Sequence, residues 1–286
     1  MIAKEVQAIA EKLTTQFGLT FGISEGKDEL GPFVDLRPVD LEPPEGFKLR
    51  VQVGWRSVEV TFMLDAYSAQ LLKAMNRAEA AKRELFSHMA SETMRSGASV
   101  RLLINGSEQP LADPSAWPSS WNAFSLFVRR SPIDLSDGAT RIREVEYWAG
   151  TSLALVMPFL PLDDDLASAE ADAELAGLPE GGRTRVEVNR YERSRLNRAI
   201  CIQVKGAKCS VCGVDMGDVY GEIGRDYIHV HHLIPLASMG PDYRVDPVRD
   251  LVPVCPNCHA MAHRRTPPIP IDELSRMVCD RTTHPG

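Results

Sequence analysis

The chain has 286 residues, 44% of them hydrophobic and 25% charged, a composition that belongs to folded globular proteins and excludes disorder throughout. Its length suffices for one large or two ordinary domains. The formal charge of −7 is unevenly divided: fifteen basic and twelve acidic side chains lie from Gly181 onward, which leaves about −10 before that point and +3 after it.

In chain order, residues 1–162 read as a mixed α/β domain. Ile2 to Phe17 has apolar residues at helical spacing, Lys48 to Leu64 alternates around Gly54-Trp55 as a hairpin does, and Ala66 to Arg95 reads as one long helical stretch. Val100 to Ile104, Ala123 to Arg129 and Arg141 to Tyr147 read as strands. The apolar run Trp148 to Leu162 is too short to span a bilayer comfortably and carries Pro158 and Pro161, so it reads as a buried core segment rather than a membrane insertion. No catalytic motif emerges here: Ser119-Ser120-Trp121 and the pair Asp65 and His88 read as surface and core. Residues 163–182, rich in Ala, Asp, Glu and Gly, read as an acidic linker.

Arg183 to Lys208 carries eight bases against Glu187 and Glu192, with Val186, Val188, Tyr191, Leu196, Ile200 and Ile202 on a helical period. A solvated helix face is one reading. The preferred one is a helix that contacts phosphates through Arg190, Arg193, Arg195 and Arg198, because the segment leads directly into the first cysteine pair.

Beyond it, Ile228 to His232 is a short apolar run ending in adjacent histidines. A loop rich in Pro, Gly and Asp follows, then the apolar run Leu251 to Val254, then a Cys-X-X-Cys knuckle that opens a short helix. On that helix His259 and His263 stand four apart, which puts both rings on one face, as two metal ligands on one helix must be. His231 and His232, consecutive on a strand, point to opposite faces, so at most one easily joins them. Cys209-Ser-Val-Cys212 and Cys255-Pro-Asn-Cys258 supply four thiolates, a closed tetrahedral set that suits structural zinc and leaves no position open for chemistry. With about forty residues between the knuckles, the ion would clip together the two ends of an inserted hairpin and loop. No secretory segment is visible, which argues against disulfides and for a cytoplasmic protein. Cys201 and Cys279 sit among apolar neighbours and read as buried thiols.

These residues resemble the HNH nuclease family, whose fold is the ββα-metal motif, and in particular the HNH domains of McrA-type restriction endonucleases with four zinc-binding cysteines. The matching pieces are Cys209 and Cys212, Tyr220-Gly221-Glu222, Val230-His231-His232, Asp250-Leu251-Val252-Pro253-Val254-Cys255, and Asn257-Cys258-His259 with His263. The resemblance covers roughly the last hundred residues. It implies that His232 is the general base, that His231 and His259 hold a catalytic divalent ion, and that His263 matches the further histidine ligand of the colicin nucleases. It implies Mg²⁺ as the default ion, with Mn²⁺, Ni²⁺ or Zn²⁺ as alternatives for a His-rich set. Many relatives have Asn where this chain has Asp250, a carboxylate that can accept a hydrogen bond and orient the His232 ring but cannot donate when ionised. Asn257, inside the knuckle, reads as turn geometry.

The expectation is therefore an α+β protein: residues 1–162 a sensing or regulatory α/β domain, 163–182 a linker, and 183–286 an HNH domain that cuts or nicks DNA in restriction or anti-phage defence. The competing class is a non-catalytic zinc module that binds nucleic acid or protein. The charge division favours an N-terminal domain that restrains the basic nuclease until a defence partner displaces it, although Lys48, Arg50, Arg56, Arg129 and Arg130 offer a basic patch if that domain reads DNA instead.

Overall fold

The computed structural model describes residues 3–39, 41, 46–160, 195–234, 245–265 and 267–283, and the chain divides into two compact units, Met1–Asp163 and Asp164–Gly286. In the first unit, α1 (Ala3–Phe17) buries Val6, Ile9, Ala10, Leu13 and Phe17, a stripe at the helical period. It stops at Gly18, whose φ of +75° suits a residue without Cβ and whose N–H donates to the Thr14 carbonyl at 2.8 Å.

A seven-stranded antiparallel sheet in the order β1-β2-β3-β4-β7-β5-β6 follows. Its strands are β1 (Phe21–Asp28), β2 (Gly31–Pro38), β3 (Phe47–Val53), β4 (Val58–Leu64), β5 (Ala98–Ile104), β6 (Ser107–Glu108) and β7 (Phe124–Arg130). Period-two alternation gives each central strand a buried face: Leu49 and Val51 on β3, Val58, Val60 and Phe62 on β4, Leu126 and Val128 on β7. The α4 helix (Gly138–Val156) packs against β3, β4 and β7. Its second half, Trp148 to Val156, is buried all round, as an apolar helix must be.

Two expectations are corrected here. Arg141–Tyr147 is the start of α4 and not a strand: its apolar residues continue as Ile142, Val145, Trp148 and Ala149, a helical spacing, and the Asp137 side chain caps the helix by accepting from the Thr140 N–H at 2.7 Å. Ala66 to Arg95 is two helices, α2 (Ala69–Asn76) and α3 (Ala80–Arg95), broken at Arg77-Ala78-Glu79. The Arg83 guanidinium fastens the break by donating to the carbonyls of Asn76 at 2.8 Å and Ala78 at 3.2 Å.

The sheet face away from the helices carries charge, but in matched pairs. Buried Asp35 faces Arg50 across the β2–β3 ladder and accepts from Arg50 Nε at 2.8 Å and Lys48 Nζ at 2.7 Å. Arg37 pairs with Asp65, Arg101 with Glu108 at 3.0 Å and Arg129 with Glu59 at 3.9 Å. Arg130 donates to the Gly97 carbonyl at 2.7 Å. Of the suggested basic patch, four members are thus tied to acids or carbonyls, and Arg56 lies 5.8 Å from the Trp55 ring centre.

In the second unit, α5 (Arg195–Lys205) leads to the first knuckle, then to α6 (Met216–Tyr220) and a 3₁₀ turn, Gly221–Gly224. A two-stranded antiparallel sheet of β8 (His229–His232) and β9 (Leu251–Val254) follows, with helices α7 (Pro256–Ala262) and α8 (Ile271–Thr283). Val211, Ile228, Val252, Val254, Ala262, Ile269, Ile271 and Leu274 bury together with Cys209, Cys255 and Cys258 in one small core. The linker, Arg190 and Arg193 lie outside the described residues, and so does the Arg195 side chain.

Candidate metal centre

The two knuckles form by local backbone chemistry. Gly213 takes φ +72° and donates to the Cys209 carbonyl at 2.8 Å, closing the first turn, and Ser210 N–H bonds the Pro253 carbonyl of β9 at 2.9 Å, which docks that turn on the sheet. The second knuckle is a helix start: Cys255 caps α7, its Sγ accepts from the Cys258 N–H at 3.4 Å, and Pro256 occupies the first helical position, where no N–H is needed. All four thiols lie within 4.8 Å of one another, with Cys212 Sγ 3.8 Å from Cys255 Sγ. A tetrahedron with vertices about 2.3 Å from its centre has edges of about 3.8 Å, so the donor set fits zinc. Burial raises the thiol pKa values of Cys212 and Cys258; at Cys209 burial acts the same way but is outweighed by backbone hydrogen bonds, which bring that thiol to about 7. Cys201 is buried and pushed up to about 12 by that burial, whereas Cys279 is exposed, against expectation, because it falls on the outer face of α8.

The histidines come from β8 and α7. On β8 the alternation puts Val230 against Cys201 and Leu251, so His229 and His231 share the opposite face, towards α7. Ring nitrogens of His231, His259 and His263 lie within 4.8 Å of one another, and the ring centres of His231 and His263 are 5.0 Å apart. His231 is 5% exposed, and its Nδ1 is buried with no hydrogen-bond partner. A buried imidazole nitrogen left unsatisfied costs stability unless an ion takes its lone pair, and three convergent imidazoles fit such an ion. Burial, and then the charges of neighbouring histidines, lower His231 and His259 to about 4, and burial lowers His263 too, so these rings are neutral at pH 7 with a lone pair to give.

His232 lies outside this cluster of three. It is half-buried, pairs across the ladder with Leu251, and is near enough that its charge contributes to the lowering at His231 and His259. Asp250 is buried, and its Oδ2 accepts the Asp246 N–H at 2.8 Å while its carbonyl accepts the Leu233 N–H at 2.8 Å. The carboxylate thus fixes the turn into β9, one residue before Leu251, the cross-strand partner of His232. Arg198 donates to the Ile228 carbonyl at 2.6 Å and Lys205 to that of Leu251 at 2.6 Å, so these two bases fasten α5 to the strand pair. Sequence reading passed over His229, whose Nδ1 lies 3.5 Å from His259 Nδ1. The period-two rule that separates His231 from His232 would have found it, since His229 and His231 are two apart on one strand.

A strand pair and a short helix that converge three imidazoles beside a four-thiol clip define a ββα metal unit with an HNH arrangement. Residues 209–265 match the family described as HNH endonuclease, and that stretch is an HNH domain within an otherwise mixed α/β chain. Over 89 residues the chain is 38% identical to the type IV methyl-directed restriction enzyme EcoKMcrA of Escherichia coli strain K12, which amounts to 30% of this chain and 30% of that enzyme. No solved structure matches the chain. Among the described residues no helix is long and apolar enough to cross a membrane.

Proposed function

We propose that the C-terminal unit is a divalent-metal-dependent endonuclease that hydrolyses DNA phosphodiester bonds, leaving 5′-phosphate and 3′-hydroxyl ends. The observation that supports it most is the convergence of ring nitrogens of His231, His259 and His263 within 4.8 Å of one another, together with a buried His231 Nδ1 that has no hydrogen-bond partner. His231, His259 and His263 would hold Mg²⁺, Mn²⁺, Ni²⁺ or Zn²⁺, and the bound ion would supply Lewis-acid polarisation of the phosphate and stabilisation of the departing oxygen. His232 accepts the proton of the attacking water, a task that suits a half-buried imidazole near neutral pH. Asp250 positions rather than reacts: it holds the turn next to Leu251, the cross-strand partner of His232. Cys209, Cys212, Cys255 and Cys258 hold a structural zinc that closes the domain without taking part in chemistry.

Arg190, Arg193, Arg195 and Arg198 are assigned to the DNA backbone, with Arg198 also holding Ile228. The setting is restriction of foreign DNA in the cytoplasm, and the relative's name makes methylated DNA the first substrate to try. The N-terminal domain is assigned to regulation, with a defence protein as its partner, because Lys48, Arg50 and Arg129 of its sheet sit against carboxylates and Arg130 against a carbonyl. The test is plasmid cleavage against added metal, with methylated and unmethylated DNA, for the wild type and His232→Ala. Metal-dependent cutting that His232→Ala loses, with folding and DNA binding retained, supports the reading; DNA binding without any cutting would leave a non-catalytic zinc module.

A further inference from the structure

The histidine cluster has a fourth member that the proposed chemistry leaves unused. His229 lies on the same face of β8 as His231, its ring centre is 5.2 Å from that of His259 at an interplanar angle of 66°, and the two Nδ1 atoms are 3.5 Å apart. It is half-buried, and Tyr227 stands edge-on to it at 6.1 Å between ring centres. An imidazole has two nitrogens and gives an ion only one lone pair, so whatever engages one nitrogen decides which tautomer the other presents. With His229 against Nδ1 of His259, the nitrogen left for an ion is Nε2.

We propose that His229 is a positioning residue for the metal centre: its Nδ1 accepts the proton of His259 Nδ1–H, which fixes the His259 tautomer and ring angle so that Nε2 points at the ion. This rests on the three-histidine reading above and adds a residue to it. The role is one that carboxylates and carbonyls commonly fill behind metal-bound imidazoles, here taken by a second imidazole. His259 lies in the last turn of α7, which is only seven residues long, and His263 caps its end.

The test is titration of the full chain, already carrying its first equivalent of zinc at the cysteines, with a second equivalent of Zn²⁺, followed by calorimetry and by nitrogen-15 spectra of the imidazoles. The expected result is that His229→Phe, which keeps ring volume but cannot accept, weakens the second equivalent about 10–100-fold and leaves the first untouched, while His229→Glu restores most of the affinity. In the wild type the second equivalent should leave His259 protonated at Nδ1 and the His229 nitrogens without a metal-induced shift. Equal affinity in His229→Phe, or a metal shift on His229 itself, would overturn the assignment. A wild type that takes up no second equivalent would instead bring down the three-histidine reading, and this inference with it.

Discussion

The two units of the chain arrange their polar groups differently. In the first, buried Asp35 is enclosed by Arg50 and Lys48, Asp65 is gripped by Arg37, and buried Glu146 meets Lys12 at 3.5 Å; the charges close on one another over a core built from Phe47, Phe62 and Phe124. In the second, thiols and imidazoles turn towards common points, with Cys209, Cys255, Cys258 and His231 buried, and His231 Nδ1 finds no protein partner. The first unit also leaves one buried atom, Asn76 Oδ1, without a partner, but it stands alone, whereas His231 belongs to a set of convergent donors of the kind that an ion would stabilise.

The largest expected effect is on the second unit's dependence on zinc. Cys258→Ser would remove one of the four thiols proposed to hold zinc, an ion that contributes about 10–16 kcal/mol to folding in small zinc domains. Calorimetry should show loss of the second unit's transition and of bound zinc, with that of the first unit kept. Loss of both transitions together would blur the contrast between the two units. Next comes His232→Ala, for which cleavage should fall by about 10²–10⁴-fold with the zinc content and melting profile unchanged. In the other direction, Phe62→Ala should destabilise the first unit by about 3–5 kcal/mol, since Phe62 is fully buried with its ring 5.0 Å from Phe47, and should leave bound zinc unaltered.

The smallest effect is one of pH. The Arg37 hydrogen bond, only partly offset by burial, holds Asp65 below its usual carboxylate range. A depressed pKa in the folded state gives stability that is present above the unfolded value of about 3.9 and is lost as pH falls through the folded value. Asp65→Asn should thus lower stability by about 2 kcal/mol at pH 7 and flatten the acid side of the stability profile, which urea midpoints measured from pH 7 down to pH 2 would reveal. An unchanged acid limb would mean that the pair contributes nothing.

The site was more legible in the sequence than the scaffold, for physical reasons. The i, i+4 rule places His259 and His263 on one face of α7, and strand alternation lets only one of His231 and His232 join them; the structure brings His231 to that face. Cysteine spacing likewise marks the thiol clip, because Cys-X-X-Cys geometry is set within four residues. His229 required the same alternation to be carried one step further back. The scaffold was harder to read because its signals are set by tertiary packing. Arg141 to Tyr147 looks extended until Trp148 and Ala149 show that its period is helical, and the β1–β2 hairpin carries no strong apolar alternation, since Gly22, Ser24 and Gly26 stand on its open face. Lys48, Arg50 and Arg129 look like a patch in sequence, and each sits against a carboxylate in the fold, a pairing that only the strand register creates.

The central claim is that the three-histidine cluster is a metal-dependent hydrolytic centre distinct from the thiol clip. It is tested most directly by stripping the purified full chain of weakly held ions with a mild chelator, verifying that one zinc per chain remains, and measuring cleavage of supercoiled methylated and unmethylated plasmid as Mg²⁺, Mn²⁺ or Ni²⁺ is returned. The account predicts no cutting by the stripped protein, recovery with a returned ion, and no recovery for His231→Ala that still holds its zinc. Cutting at the wild-type rate by His231→Ala, or by the stripped protein with no ion returned, would contradict it.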